Sequence, residues 1–98
     1  MRQQARAARV LVVDVAHQGE TVPQALQKLA QAINECIWHD HPALKVIHGH
    51  GSRSGRATLK PHVLHELEKY ARRYDGRVEP DGWNPGAHVL TFPSRRST

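Results

Sequence analysis

Disulfide chemistry is excluded at the outset, because the chain has a single cysteine, Cys36, and one cysteine cannot form an internal bridge. Its place on the apolar side of a helical pattern makes it a core residue. Aromatic residues are also few: Trp38, Tyr70, Tyr74, Trp83 and Phe92, scattered along the chain. A sheet that reads bases by stacking needs two or three rings on one exposed face, so this pattern favours reading of a backbone over reading of bases. Trp83 stands apart in a polar turn, where an indole either stacks on a base or closes the end of a sheet; the closing role is the expectation.

Long apolar runs are missing too. No stretch approaches membrane-spanning length, and residues 1–9 lack the apolar segment and small-residue cleavage site of a secretory signal. The cytoplasm is the default compartment and no membrane partner is expected. Ninety-eight residues suit one domain and exclude a multidomain machine.

What the chain has is positive charge and histidine. Fourteen Lys and Arg face nine Asp and Glu, for a formal charge of +5. Such a chain attracts polyanions and releases them as salt rises, which makes DNA or structured RNA the leading partner. Residues 1–9 and 93–98 are Arg-rich and without periodicity, and read as basic tails around a folded domain at 10–92.

Within that domain the pattern alternates in type. Val10 to Val15 is a nearly continuous β-branched run that suits a strand buried on both faces, with Asp14 its one charge. Thr21-Val22-Pro23-Gln24 reads as a capped helix start. The helix that follows buries Val22, Leu26, Leu29, Ile33, Cys36 and Ile37 and stops at His39-Asp40-His41-Pro42. Leu44 to His48 is a second strand. Thr58 caps a second helix with a stripe of Leu59, Val63, Leu67, Tyr70, Ala71 and Tyr74, where Pro61 is tolerated in the first turn. Asp75-Gly76 ends it, Arg77 to Pro80 forms an edge strand, Asp81 to Gly86 a turn, and Ala87 to Phe92 a last strand. The order β-α-β-α-β-β predicts an α/β two-layer sandwich, with a four-stranded mixed sheet and two helices on one face.

The most telling segment joins the second strand to the second helix. His48-Gly49-His50-Gly51-Ser52-Arg53-Ser54-Gly55-Arg56 passes from an apolar strand through three glycines into a basic helix start. Glycines let a tight backbone aim several N–H groups at one point, and a helix start adds its positive end. Gly49, His50, Gly51, Ser52, Arg53, Gly55, Arg56 and Lys60 are therefore the expected phosphate contacts. The spacing departs from Gly-x-Gly-x-x-Gly, and no Gly-Lys-Ser/Thr closes the loop. Binding of a dinucleotide or phosphometabolite by this loop is thus a minor alternative.

Phosphodiester hydrolysis needs an activated water and stabilised charge on phosphate oxygens, work suited to carboxylate, imidazole, Lys or Arg, or metal. Asp14 and His17 lie near the carboxyl end of the first strand and His48 closes the second, so neighbouring strands are expected to turn all three into one cleft. His48 is the first candidate. Asp14 has a plainer reading, as an acceptor for a backbone N–H at the strand end. Eight histidines raise the question of zinc, but His39-x-His41, His48-x-His50 and His62-x-x-His65 are completed by no cysteine pair or His-Glu-x-x-His pattern. No metal site and no required cofactor are expected; a loosely held Mg or Mn beside Asp14 is compatible with the residues.

Four of these segments, in this order, resemble the Smr (small MutS-related) domain. They are the acidic β-branched strand, Gly19 ahead of a helix start reading Thr21-x-x-x-Ala25-Leu26, the run Val46-Ile47-His48-Gly49-His50-Gly51 with Gly55-Arg56 and Leu59-Lys60, and Asn84-Pro85-Gly86-Ala87 before the last strand. The resemblance spans Val10 to Phe92. It implies a nucleic-acid-binding module, in many members a nicking endonuclease of low sequence specificity, found alone or attached to repair and RNA-surveillance proteins. It implies a monomer or one domain of a larger protein. Members commonly carry Leu-Asp-Leu-His-Gly at the end of the first strand. With Gly19 and Thr21 in register, Ala16 and Gln18 stand where the family has Asp and His; Asp14 and His17 match only across inserted residues. The alternatives that follow are a binding module whose catalysis has lapsed and a protein adaptor that uses the same surface.

Overall fold

The computed structural model describes residues 9–49 and 59–93. Its elements run β1 (Leu11–Asp14), α1 (Val22–Trp38), β2 (Ala43–Ile47), α2 (Leu59–Tyr74), β3 (Arg77–Pro80) and β4 (Ala87–Thr91). The expected order of strands and helices is therefore observed. The loop at 50–58, the expected cap Thr58 and residues 1–8 and 94–98 lie outside the described residues.

The start of α1 follows from its sequence. Thr21 accepts a hydrogen bond from the Gln24 N–H while the Gln24 side chain accepts one from the Thr21 N–H, at 3.3 and 2.9 Å, and Pro23 sits where a missing N–H costs nothing. Both helices end alike. Asp40 and Asp75 take left-handed backbone angles, φ 55° and 59°, and the next residue donates back to the carbonyl five positions earlier: His41 to Cys36, Gly76 to Ala71. At the second of these ends the glycine is obligatory for packing, because a Cβ on Gly76 would stand 2.5 Å from the Thr91 carbonyl oxygen.

The sheet order is β1-β2-β4-β3, with β1 parallel to β2 and the other pairs antiparallel. The helix α1 packs on β1 and β2, α2 packs on β3 and β4, and the helices touch each other, so both lie on one face of the sheet. The core between the layers is Val15, Leu29, Ile33, Cys36, Leu44, Val46, Val63, Leu67 and Leu90, all buried. The opposite sheet face carries Val12, Asp14, Lys45, Ile47, Val89 and Glu79, which are the alternate residues of each strand. This corrects the expectation of a first strand buried on both faces. β1 is an edge strand in a two-layer fold, and Val12 is 55% exposed. A β-branched run signals strand propensity but does not report how many layers cover it. Among the described residues, no helix is long and apolar enough to cross a membrane.

Candidate functional site

Strand alternation decides which groups meet at the carboxyl ends of β1 and β2. Asp14 pairs with Ile47, so both belong to the open face, and the next residue along each strand, Val15 or His48, turns toward the helices. His48 is fully buried there. Its backbone N–H and that of Gly49 both donate to the Gly86 carbonyl, at 2.8 and 3.1 Å, and Gly49 turns the chain with φ 93°. A glycine is the natural occupant of that left-handed position.

The His48 ring reaches across the sheet. Its Nε2 lies 2.8 Å from Nδ1 of His88, and its Nδ1 lies 3.1 Å from the Gly49 carbonyl oxygen. His88 is held in β4 opposite Val46 on one side and Pro80 on the other, and it is partly exposed. Burial is the largest influence holding the His48 imidazole below its ordinary protonation range. The hydrogen bond to Gly49 opposes that shift, and the neighbouring His88 and the Lys60 ammonium add to it. His88 is lowered for the same first reason, and Lys60 again contributes. Lys60, exposed in the first turn of α2, therefore places its positive charge within electrostatic reach of both rings.

The turn that holds His48 in place is itself braced. Asp81 accepts from the Asn84 N–H at 2.9 Å and pairs with the Lys45 ammonium at 3.3 Å. The Asn84 side chain accepts from the Gly86 N–H at 2.8 Å, and the Asn84 carbonyl from the Ala87 N–H at 3.0 Å. Trp83 projects from this turn with 95% of its surface exposed. The expected lid over the sheet end is thus not formed: Trp83 lies within the turn braced from Asp81 to Ala87, and its indole stands in solvent.

Asp14 and His17 are not brought to His48, which corrects the expectation of a shared cleft. Asp14 accepts the Ala16 N–H at 2.9 Å and stands 4.0 Å from Nδ1 of the exposed His17, an arrangement local to the end of β1. The residue that meets Gly49 from the segment after β1 is Ala16: a Cβ built on Gly49 would lie 3.5 Å from the Ala16 Cβ. Of the expected phosphate contacts, Gly49 adjoins His48 and Lys60 is within electrostatic reach of both rings, whereas His50, Gly51, Ser52, Arg53, Gly55 and Arg56 fall outside the described residues. Among the described residues, no group of three His, Cys, Asp or Glu side chains is gathered to hold a metal ion.

Sequence reasoning missed His88. The signal was present, since His88 is a polar residue at a helix-facing position of the last strand, in phase with Leu90. It became readable only with the pairing register, which joins residues 40 apart. A family model described as Smr domain matches residues 13–87 of the chain, from the end of β1 through the first residue of β4. No curated protein and no solved structure matches it.

Proposed function

Because the chain belongs to the Smr domain family, we propose that it binds the sugar-phosphate backbone of DNA or structured RNA and nicks it with little sequence preference. The observation that carries this reading is the hydrogen-bonded imidazole pair of His48 and His88, which burial holds below the ordinary protonation range, within electrostatic reach of the Lys60 ammonium. An imidazole kept unprotonated at neutral pH is suited to accept a proton, and a cation next to it is suited to a phosphate oxygen. The chain's charge of +5 supplies the long-range attraction. In this reading the phosphates lie along Gly49 to Arg56, with Arg53, Arg56 and Lys60 as their cationic contacts, and the exposed Trp83 stacks on a base without selecting it.

One observation favours a second reading, a nucleic-acid clamp without turnover: the residue after β1 that meets Gly49 is Ala16, a methyl where the family usually has a carboxylate. Two measurements separate the readings. Nicking of supercoiled plasmid and of a labelled structured RNA, with magnesium or manganese and with chelator, reports turnover and any dependence on a loosely held metal. Binding of a duplex oligonucleotide across a salt series reports the interface. Arg53→Ala with Arg56→Ala is expected to weaken binding equally across sequences and to reduce the salt slope by roughly 1 per arginine. An unchanged slope removes the loop from the interface, and binding without nicking under any metal condition favours the clamp.

A further inference from the structure

We propose that the atom this site presents to bound nucleic acid is Nε2 of His88, with His48 behind it as the positioning residue that fixes its tautomer. The inference rests on the nucleic-acid reading above and assigns the contact within it. His48 is fully buried and His88 is partly exposed, so of the two rings only His88 has surface to offer.

The hydrogen bonds then determine where the protons are. A carbonyl oxygen can only accept, so the 3.1 Å contact between His48 Nδ1 and the Gly49 oxygen requires the proton on Nδ1. A neutral His48 with Nδ1 protonated has a bare Nε2, which can only accept. The 2.8 Å contact to His88 must therefore be donated by His88 Nδ1–H. A neutral His88 with its proton on Nδ1 has a lone pair on Nε2, and among the described residues Nε2 has no other partner. Burial and the nearby Lys60 charge keep both rings in the neutral state this chain of assignments needs.

The arrangement suits a general base. His88 Nε2 takes a proton from a water molecule as its oxygen forms a bond to phosphorus and the ester P–O bond breaks. The departing ester oxygen is protonated by solvent, and the His88 imidazolium returns its proton to water afterwards. Throughout, Nδ1–H stays donated to His48, which holds the ring's angle and makes it a stronger base. Placement in β4, with neighbours on both sides, gives the ring a rigid support.

The test uses the intact chain labelled with 15N. Long-range proton–nitrogen correlation spectra at neutral pH are expected to show His48 and His88 both as Nδ1–H tautomers. Titration with a short duplex and with a short hairpin RNA is expected to shift His88 Nε2 more than either nitrogen of His48. A His88 ring in the Nε2–H tautomer overturns the proposal, as does binding that leaves His88 Nε2 unmoved. Failure to bind either oligonucleotide overturns the functional reading and takes this assignment with it, so the two failures are distinguishable.

In the nicking assay, His88→Gln is expected to lose about 100-fold or more, the usual worth of a general base. His48→Gln preserves an acceptor toward His88 and is expected to retain more activity than His48→Ala, with the acid limb of its pH profile displaced. A His88→Gln protein that binds and nicks like the parent overturns the assignment.

Discussion

Two strand ends lie side by side in this fold, and they are built in opposite ways. At the end of β1, Asp14 is half-buried and His17 exposed, and the two are near in sequence within one local turn. At the end of β2, His48 is buried and its partner comes from β4. On sequence alone both ends offer candidates, His48 first, with the end of β1 adding a carboxylate and an imidazole. The difference teaches that acid–base residues acquire unusual properties from what the fold packs around them.

The sharpest way to break this comparison is to truncate one residue at each end. His48→Ala leaves a cavity and strands the His88 ring nitrogen, and is expected to cost about 3 kcal/mol. Asp14→Ala removes one part-exposed bond to a backbone N–H and is expected to cost about 1 kcal/mol or less. Urea unfolding with a common slope measures both. Equal losses would mean that the two ends carry the same structural weight.

A pH series sharpens the same contrast through the direction of the shifts. Both site imidazoles are held below their ordinary value of 6.5, so as pH falls past 6.5 the unfolded chain takes up protons before the folded one. The stability this pair contributes is fully present above pH 6.5 and is lost as pH falls toward the folded-state values. The groups in play around the pair are the other imidazole, the Lys60 ammonium and the Gly49 carbonyl. Glu20, whose carboxyl is lowered from 4.5 to about 2 by the Lys28 ammonium, acts in a separate window: its contribution is present above 4.5 and lost as pH falls toward 2. Thermal melts between pH 7.5 and 5 are expected to show a falling midpoint in the parent and a flatter response in His48→Gln.

How far the sequence led follows the same division between local and distant causes. The capping box at Thr21 and Gln24, the helix stop before Pro42, the edge strand Arg77–Pro80 and the burial of Cys36 are local or periodic facts, and each was legible. So was the importance of His48, which a strand running into glycines marks by itself. His88 was not legible, because its meaning lies in a register between β2 and β4 that no spacing along the chain encodes. The grouping of Asp14 and His17 with His48 failed for a related reason. Neighbouring strand ends put residues close together, but the pleat sends consecutive side chains to opposite faces, and a one-residue difference separates Asp14 from the buried pair.

The turn from Asp81 to Gly86 offers a third group at this end of the sheet, and with it the smallest expected effect. Trp83 is almost wholly exposed, so truncating it removes little packing, and Trp83→Ala is expected to change unfolding stability by no more than about 0.5 kcal/mol. Its turn nevertheless carries the Gly86 carbonyl that fixes the backbone of His48 and Gly49, which ties the position of the indole to that of the histidine pair. Stacking on one base is worth about 1–3 kcal/mol, so under the proposed function Trp83→Ala weakens oligonucleotide binding by about 5-fold or more while its salt slope stays that of the parent. Quenching of indole fluorescence on adding oligonucleotide gives an independent reading, with Trp38, itself 83% exposed, removed as Trp38→Phe to isolate the signal. A Trp83 that neither quenches nor weakens binding on truncation would confine recognition to the backbone and leave the histidine end to act on a strand held by phosphates alone.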